Sequence, residues 1–131
     1  MQSAKRVTIS FDEWSDRRNR RFIGINCTSW LNGALQKFCL DVVNADSVMG
    51  DSDHLTGALI AQIVMSSLTD HNVTDKVYIL VTDRGSSMKS AAQVIQKDID
   101  RQIIHGHCIC HLINSLLSQR VRNQPAFSRY F

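Results

Sequence analysis

Residues 76–83, Lys-Val-Tyr-Ile-Leu-Val-Thr-Asp, decide the fold of this chain. A short and continuous apolar run is typical of a strand covered on both faces, because both of its sides must then be hydrophobic. Apolar side chains at helical spacing follow over residues 88–99, with polar side chains on the opposite face. Ser86 or Ser87 is predicted to cap this helix. A buried strand followed by an amphipathic helix indicates an α/β sheet.

Three antiparallel strands are predicted upstream of this unit. Residues 6–14 alternate apolar and polar side chains, as a half-buried strand does, and residues 21–30 are rich in β-branched and aromatic side chains. Asn32 and Gly33 both tolerate positive φ, which is typical of a hairpin turn, and an apolar run at 38–43 follows them. We therefore expect two consecutive hairpins.

The remaining segments alternate between helix and strand. Residues 51–69 carry apolar side chains at four-residue spacing, which predicts a helix capped by Asp51 or Ser52. Residues 103–109 predict a fifth strand, and apolar positions over 112–121 predict a last amphipathic helix. This order predicts a mixed five-stranded sheet with helices on both faces.

Composition supports one ordinary domain over residues 1–131. A hydrophobic fraction of 44% and a charged fraction of 21% exclude a disordered tail. The formal charge of +3 is too mild to indicate nucleic-acid binding by itself. Four cysteines without an apolar leader favour reduced thiols in a cytosolic or nuclear protein. No apolar run has the roughly 20 residues that a membrane span needs, so no membrane partner is expected.

Two aspartates, Asp12 and Asp83, each close an apolar strand. If a helical crossover joins the third strand to the fourth, the first and fourth strands run in the same direction, and both aspartates lie at the same end of the sheet. Paired carboxylates suit Mg²⁺, which prefers oxygen ligands and shares them with water and phosphate. The alternative is that each aspartate only ends its strand, as Asp commonly does in turns.

Three blocks of sequence resemble successive motifs of the hAT-superfamily DNA transposases, whose catalytic domain has a ribonuclease-H-like fold. They are residues 12–15 (Asp-Glu-Trp-Ser), 82–88 (Thr-Asp-Arg-Gly-Ser-Ser-Met) and 108–114 (Cys-Ile-Cys-His-Leu-Ile-Asn). In that family the motifs are Asp-x-Trp-Thr/Ser after the first strand, Thr-Asp-x-x-x-x-Met before a helix, and Cys-x-x-His before an apolar helix containing Asn. Their order and spacing match over nearly the whole chain, with Trp14, Cys108 and His111 at motif positions.

The resemblance implies a nuclear protein that acts on DNA. It implies that Asp12 and Asp83 are the first two members of an Asp-Asp-Glu triad that binds Mg²⁺ or Mn²⁺ and cuts and rejoins DNA at transposon ends. It also implies that the partner is DNA, together with a second copy of the chain or a full-length transposase.

The chain departs from the family in what it lacks. The third carboxylate, an N-terminal zinc finger, a helical insertion and a C-terminal dimerisation segment are all missing from residues 1–131. We therefore expect a single partial ribonuclease-H-like domain that binds the metal weakly and does not cleave DNA alone. The alternative is a domesticated, non-catalytic nuclear module that binds DNA or protein.

Basic and aromatic side chains give further candidates. Arg84 follows Asp83 directly and is expected to contact phosphate beside the metal. For Trp14 and Trp30, a packing role is favoured over base stacking. A predicted hairpin tip carries four arginines, which either contact phosphates or keep a turn soluble: Arg17, Arg18, Arg20 and Arg21.

A dense set of nitrogen and sulfur side chains precedes the last helix. Thiolate and imidazole are zinc ligands, but this spacing lacks the second, separated ligand pair of a structural zinc site. The sequence therefore argues against zinc and favours packing or DNA contact. The set comprises His105, His107, Cys108, Cys110 and His111.

Overall fold

The computed structural model of the chain describes residues 5–50 and 54–122, apart from the side chains of His111, Ser115 and residues 120–122. Its centre is one five-stranded sheet with the order β3-β2-β1-β4-β5. The strands are β1 (Val7–Ser15), β2 (Arg21–Leu31), β3 (Ala34–Asn44), β4 (Val77–Thr82) and β5 (Ile104–His107). The first three strands pair with one another in antiparallel fashion, whereas β4 pairs in parallel with both β1 and β5. The mixed five-stranded sheet predicted from the sequence is confirmed.

The hairpin between β2 and β3 has a two-residue loop. Asn32 and Gly33 have φ values of 52° and 77°, and Leu31 pairs directly with Ala34. Such a turn matches the twist of antiparallel strands, so pairing resumes immediately after it. The third strand therefore begins at Ala34, four residues before the apolar run that predicts it.

Two long helices, α2 (Gly57–Asp70) and α3 (Ser86–Ile99), pack against each other and cover one face of the sheet. Alternate residues of β1 and β2 point into this layer, among them Ile9 and Ile25, each 0% exposed. The opposite face carries exposed Trp30 and Leu35. The hydrophobic core thus lies between the sheet and this helical layer.

The predicted start of α2 is wrong. Its N-cap is Thr56, whose hydroxyl accepts a hydrogen bond from the Leu59 amide, and not Asp51 or Ser52. Asp51 and Ser52 lie outside the described residues. A short helix, α1 (Asp46–Met49), occupies the connection instead, because Asn44 and Ala45 turn the chain directly after β3.

The predicted serine cap of α3 is also wrong. The N-cap is Gly85, and no side chain caps the helix. The predicted inner face is confirmed for Met88, Ala91 and Ile95, which are all buried.

Strand β4 is not covered on both sides along its whole length. Val77, Leu80 and Thr82 are buried, whereas Tyr78 is 40% exposed, with the guanidinium of Arg6 lying 4.7 Å from its ring centroid. The uninterrupted apolar run therefore overstates the burial of this strand.

The last helix, α4 (Ile109–Arg122), begins two residues after β5. Its described apolar side chains are largely exposed, with Ile109 at 69% and Leu117 at 57%. None of the helices in the described residues combines the length and the apolar character that crossing a membrane requires.

Candidate metal-binding site

The parallel pairing of β1 with β4 places Asp12 and Asp83 at the same end of the sheet. The last registered pair is Ser10 with Val81. Asp12 lies two residues beyond Ser10 in β1, and Asp83 lies two residues beyond Val81, directly after the last residue of β4. Both aspartates therefore follow the last paired residues of two neighbouring strands. We name this end of the sheet, where β1, β4 and β5 finish, the carboxyl end. Strand β1 itself continues for three residues beyond Asp12.

One cavity of about 190 Å³ contains both aspartates in its lining. Asp12 is exposed and Asp83 is half-buried, so solvent and solutes reach both carboxylates. The remaining lining comes from strands β1 to β4 and from the residue directly before α4: Ser10, Phe11, Asn26, Lys37, Val81, Thr82 and Cys108.

The backbone around Asp83 is fixed by three hydrogen bonds. The Gly85 amide donates to Asp83 Oδ1 at 2.7 Å, and the Thr82 hydroxyl donates to the Asp83 carbonyl at 2.9 Å. The Cys108 amide donates to the Thr82 carbonyl at 2.7 Å, which ties the end of β5 to the end of β4. A Cβ on residue 85 would lie 2.9 Å from Asp83 Oδ1, so glycine gives its amide close access to the carboxylate. Asp83 is therefore held in a defined orientation.

Trp14 lies on the same face of β1 as Asp12. Its ring stacks on Phe22 with centroids 5.9 Å apart and extends across Gly24, the residue paired with Asp12. A Cβ on residue 24 would approach Trp14 Cζ3 to 2.8 Å, so the tryptophan keeps this position only above a glycine. Trp14 is 43% exposed, in line with the predicted packing role at the rim of the sheet.

A larger groove of about 460 Å³ adjoins Asp83. Arg84 and Gly85 form one side, and Cys108 with the first turns of α4 forms the other. The side chains of Leu112 and Leu116 give it an apolar wall. The structure thus brings Arg84 and Cys108, two of the residues singled out by sequence, beside Asp83. The side chain of His111 lies outside the described residues.

The arginine cluster is at the turn between β1 and β2, also at the carboxyl end. Arg20 is bound to Asp16 through its Nε and Nη2 atoms, each 2.6 Å from Oδ2. Desolvation acts to raise the pKa of Asp16, but the hydrogen bonds from Arg20 and from the Arg18 amide outweigh it and lower this pKa. Arg17 and Arg18 have exposed side chains, and Arg21 starts β2. The side chain of Arg20 therefore stabilises the turn itself through its ion pair with Asp16.

The histidines and cysteines before α4 do not assemble into a metal set within the described residues. No group of three or more His, Cys, Asp or Glu side chains there could hold a metal ion. His105 and His107 are in edge contact, with ring centroids 5.2 Å apart. Burial lowers the pKa of His105, and the charges of His107 and Lys89 lower it further.

The two carboxylates at the carboxyl end of the sheet could serve as protein ligands of one divalent cation. Mg²⁺ commonly takes one or two protein carboxylates and completes its shell with water and substrate phosphate. Asp12 and Asp83 supply those two groups to one accessible cavity. The ammonium of Lys37 lines the same cavity, where it would attract an anion rather than a cation.

Sequence reasoning missed Lys37 and Asn26 as lining residues. Asn26 pairs with Ser10 on the hairpin, so the polar alternation of the two strands contains the signal for it. Lys37 is in β3, opposite Thr28, and its long side chain reaches the cavity across β2. No local pattern predicts a contact across an intervening strand.

Comparison with solved structures finds retroviral integrase cores. The HTLV-2 integrase catalytic core domain in complex with magnesium matches in a dimeric form, with 13% identity and a TM-score of 0.40 over 91% of this chain and 71% of that one. The trimeric form matches with 11% identity and a TM-score of 0.37, covering 92% and 70%. A simian T-cell lymphotropic virus intasome in complex with PP2A regulatory subunit B56 gamma matches with 14% identity and a TM-score of 0.39, covering 94% and 45%.

No protein-family model matches the chain, and no curated protein matches it. Likenesses to solved structures at this identity and TM-score do not imply a shared function. The function of this chain must therefore be argued from its own residues.

Replacing Gly24 with alanine tests the packing around Asp12. We expect Gly24→Ala to displace the Trp14 ring, because the new methyl group would overlap it, and overpacking of this kind destabilises by about 1–3 kcal/mol. In a Trp30→Phe background the emission of Trp14 should shift to longer wavelength. The control is Gly106→Ala, whose Cβ would meet only the Leu80 carbonyl at 3.9 Å. Equal emission spectra for the two variants would contradict this packing.

Proposed function

We propose that this chain is a transposase-derived, hAT-like domain whose carboxyl end binds a divalent cation, Mg²⁺ or Mn²⁺, together with a DNA phosphate. The observation that supports this most is the single cavity lined by Asp12, Asp83 and Lys37. Two carboxylates and an ammonium in one accessible space suit a cation bridged to a phosphate oxygen. In a complete site with two cations, one cation would activate a water or 3′-hydroxyl nucleophile and the other would stabilise the leaving 3′-oxygen.

The chain's own residues would position the nucleic acid. Lys37 lines the cavity and Arg84 lines the adjoining groove, so both can bind the phosphates flanking the cation. Arg17 and Arg18 extend the positive charge along the same end of the sheet. A guanidinium binds phosphate through two parallel hydrogen bonds, which suits Arg84 to a defined backbone position.

The carboxylate pair is incomplete relative to an Asp-Asp-Glu triad. Within the described residues no third acidic, histidine or cysteine side chain joins Asp12 and Asp83 in a metal set. A second cation would then have too few protein ligands, and two-ion phosphoryl transfer needs both. We therefore propose that the chain binds one cation weakly and does not cleave DNA alone. Full activity would require a further carboxylate.

A second candidate function is DNA or protein binding in the nucleus by a domain that has the same fold but neither binds the metal nor catalyses a reaction. The face of the sheet opposite α2 and α3 exposes Trp30 and Leu35, which pair with each other across the second hairpin and are 67% and 68% exposed. Exposed apolar side chains grouped in this way often mark a protein-binding surface. This candidate predicts no metal binding at the aspartates.

Titration calorimetry with Mn²⁺ or Mg²⁺ separates the two candidates. We expect weak binding to the wild-type chain that Asp12→Asn and Asp83→Asn each abolish, because one carboxylate alone holds such ions poorly. Asp98→Asn is the matched control, since Asp98 is exposed on α3 away from the cavity. Absence of binding to the wild-type chain, or equal binding to all variants, would refute the metal site and favour the interaction module.

Salt-dependent DNA binding tests the phosphate contacts. We expect Lys37→Gln and Arg84→Gln to weaken binding of a short duplex and to reduce the salt slope by about one for each contact removed. Lys97→Gln is the control, because Lys97 lies in the last turn of α3, at the opposite end of the sheet. Fluorescence anisotropy at several salt concentrations provides the measurement. The same slope for all three variants would contradict phosphate binding at the carboxyl end.

A further inference from the structure

The hydroxyl of Thr82 lies between the backbone of Asp83 and the ring of His105. Thr82 is the last residue of β4 and is 1% exposed. Its Oγ1 donates to the Asp83 carbonyl at 2.9 Å and lies 2.7 Å from Nε2 of His105 on β5. Both contacts stabilise the fold, because a buried hydroxyl that loses its hydrogen-bond partners has given up its hydration without replacement.

The direction of these bonds follows from counting protons. A threonine hydroxyl has one proton and two acceptor lone pairs. The Asp83 carbonyl can only accept, so both contacts are hydrogen bonds in the tautomer of His105 that carries its proton on Nε2, with the Thr82 hydroxyl donating to the carbonyl. The ring of His105 thereby fixes the rotation of the Thr82 hydroxyl, and the hydroxyl fixes the plane of the following peptide.

We propose that Thr82 and His105 are positioning residues for the carboxylate of Asp83. This inference rests on the proposed metal-binding function of Asp83, and it concerns residues that the sequence motifs do not assign to that function. The Thr82 hydroxyl holds the Asp83 carbonyl from one side, and the Gly85 amide holds the carboxylate from the other. Together they leave the side chain little freedom to turn away from the cavity.

The hydrogen bond between His105 and Thr82 connects β5 to the residue before Asp83. Strand β5 is four residues long, and within the described part of the chain it pairs with β4 alone. The bond from His105 to Thr82 is diagonal to the strand register, in which His105 pairs with Leu80 and His107 with Thr82. The hydrogen bond between the His105 and Thr82 side chains therefore supplements the backbone hydrogen bonds between β5 and β4 directly before Asp83. Groups that hydrogen-bond behind a metal ligand typically contribute about 10-fold or more to metal affinity.

Amide exchange in the metal-free chain tests the positioning itself. We expect Thr82→Val and His105→Ala to loosen Asp83, so that the Gly85 amide proton shifts upfield and exchanges faster with solvent. Thr82→Ser keeps the hydroxyl and His105→Gln keeps an amide donor, so both should remain close to wild type. An unchanged Gly85 amide in folded Thr82→Val and His105→Ala would overturn the inference.

Mn²⁺ affinity tests the link to the site. We expect Thr82→Val and His105→Ala each to raise the Mn²⁺ dissociation constant about 10-fold, with Thr82→Ser and His105→Gln near the wild-type value. The double variant should bind no more weakly than either single variant, because both remove one chain of bonds. A purely structural role would lower the melting temperature and leave the Mn²⁺ affinity of the folded variants unchanged, which would also overturn the inference.

The two readouts distinguish failure of the inference from failure of the proposed function. If wild-type protein shows no Mn²⁺ binding that depends on Asp83, the proposed function fails and, with it, any role of Thr82 and His105 toward a metal. Amide exchange would still report whether the two residues hold Asp83 in place. If binding depends on Asp83 but is unaffected in Thr82→Val, only the inference fails.

Discussion

Parallel pairing of β1 with β4 brings two carboxylates from distant parts of the chain to one end of a sheet. The pairing depends on a helical crossover, since parallel neighbours cannot be joined by a tight turn. Helix α2 lies in that crossover, and its buried residues, such as Ile60 and Val64, pack into the core with Ile9 and Leu80 of the paired strands. The hydrophobic layer that stabilises the fold therefore also stabilises the strand pairing that brings the two aspartates to the same end of the sheet.

Much of the fold could be predicted from local patterns. Period-two alternation predicts β1, the Asn32-Gly33 turn predicts the second hairpin, and helical periodicity predicts the buried face of α3. Each of these signals arises from neighbouring residues, so no tertiary information is needed. The direction of β4 relative to β1 then follows from the rules of strand connection. This is why the convergence of Asp12 and Asp83 could be predicted without coordinates.

The features that could not be predicted depend on the connections between helices and strands and on side-chain contacts between strands. The N-cap of α2 is Thr56 and not the predicted Asp51 or Ser52, because the short helix α1 precedes α2 in the connection from β3. Lys37 reaches the cavity across β2, and His105 of β5 contacts Thr82 of the neighbouring strand β4 diagonally to the register. Such contacts depend on side-chain length and register together, and neither has a local sequence signal. The sequence thus indicates the two acidic residues and their neighbours Arg84 and Cys108, but not Lys37 or the contact between His105 and Thr82.

The central claim is that Asp12 and Asp83 together hold one divalent cation. Diffraction from crystals soaked in Mn²⁺, with data collected at the manganese absorption edge, measures this directly. We expect one anomalous peak bonded to a carboxylate oxygen of each aspartate at roughly 2.0–2.2 Å, close to the distances typical of Mg²⁺. A peak bonded to only one of the two aspartates, or no peak at the carboxyl end of the sheet, would contradict it.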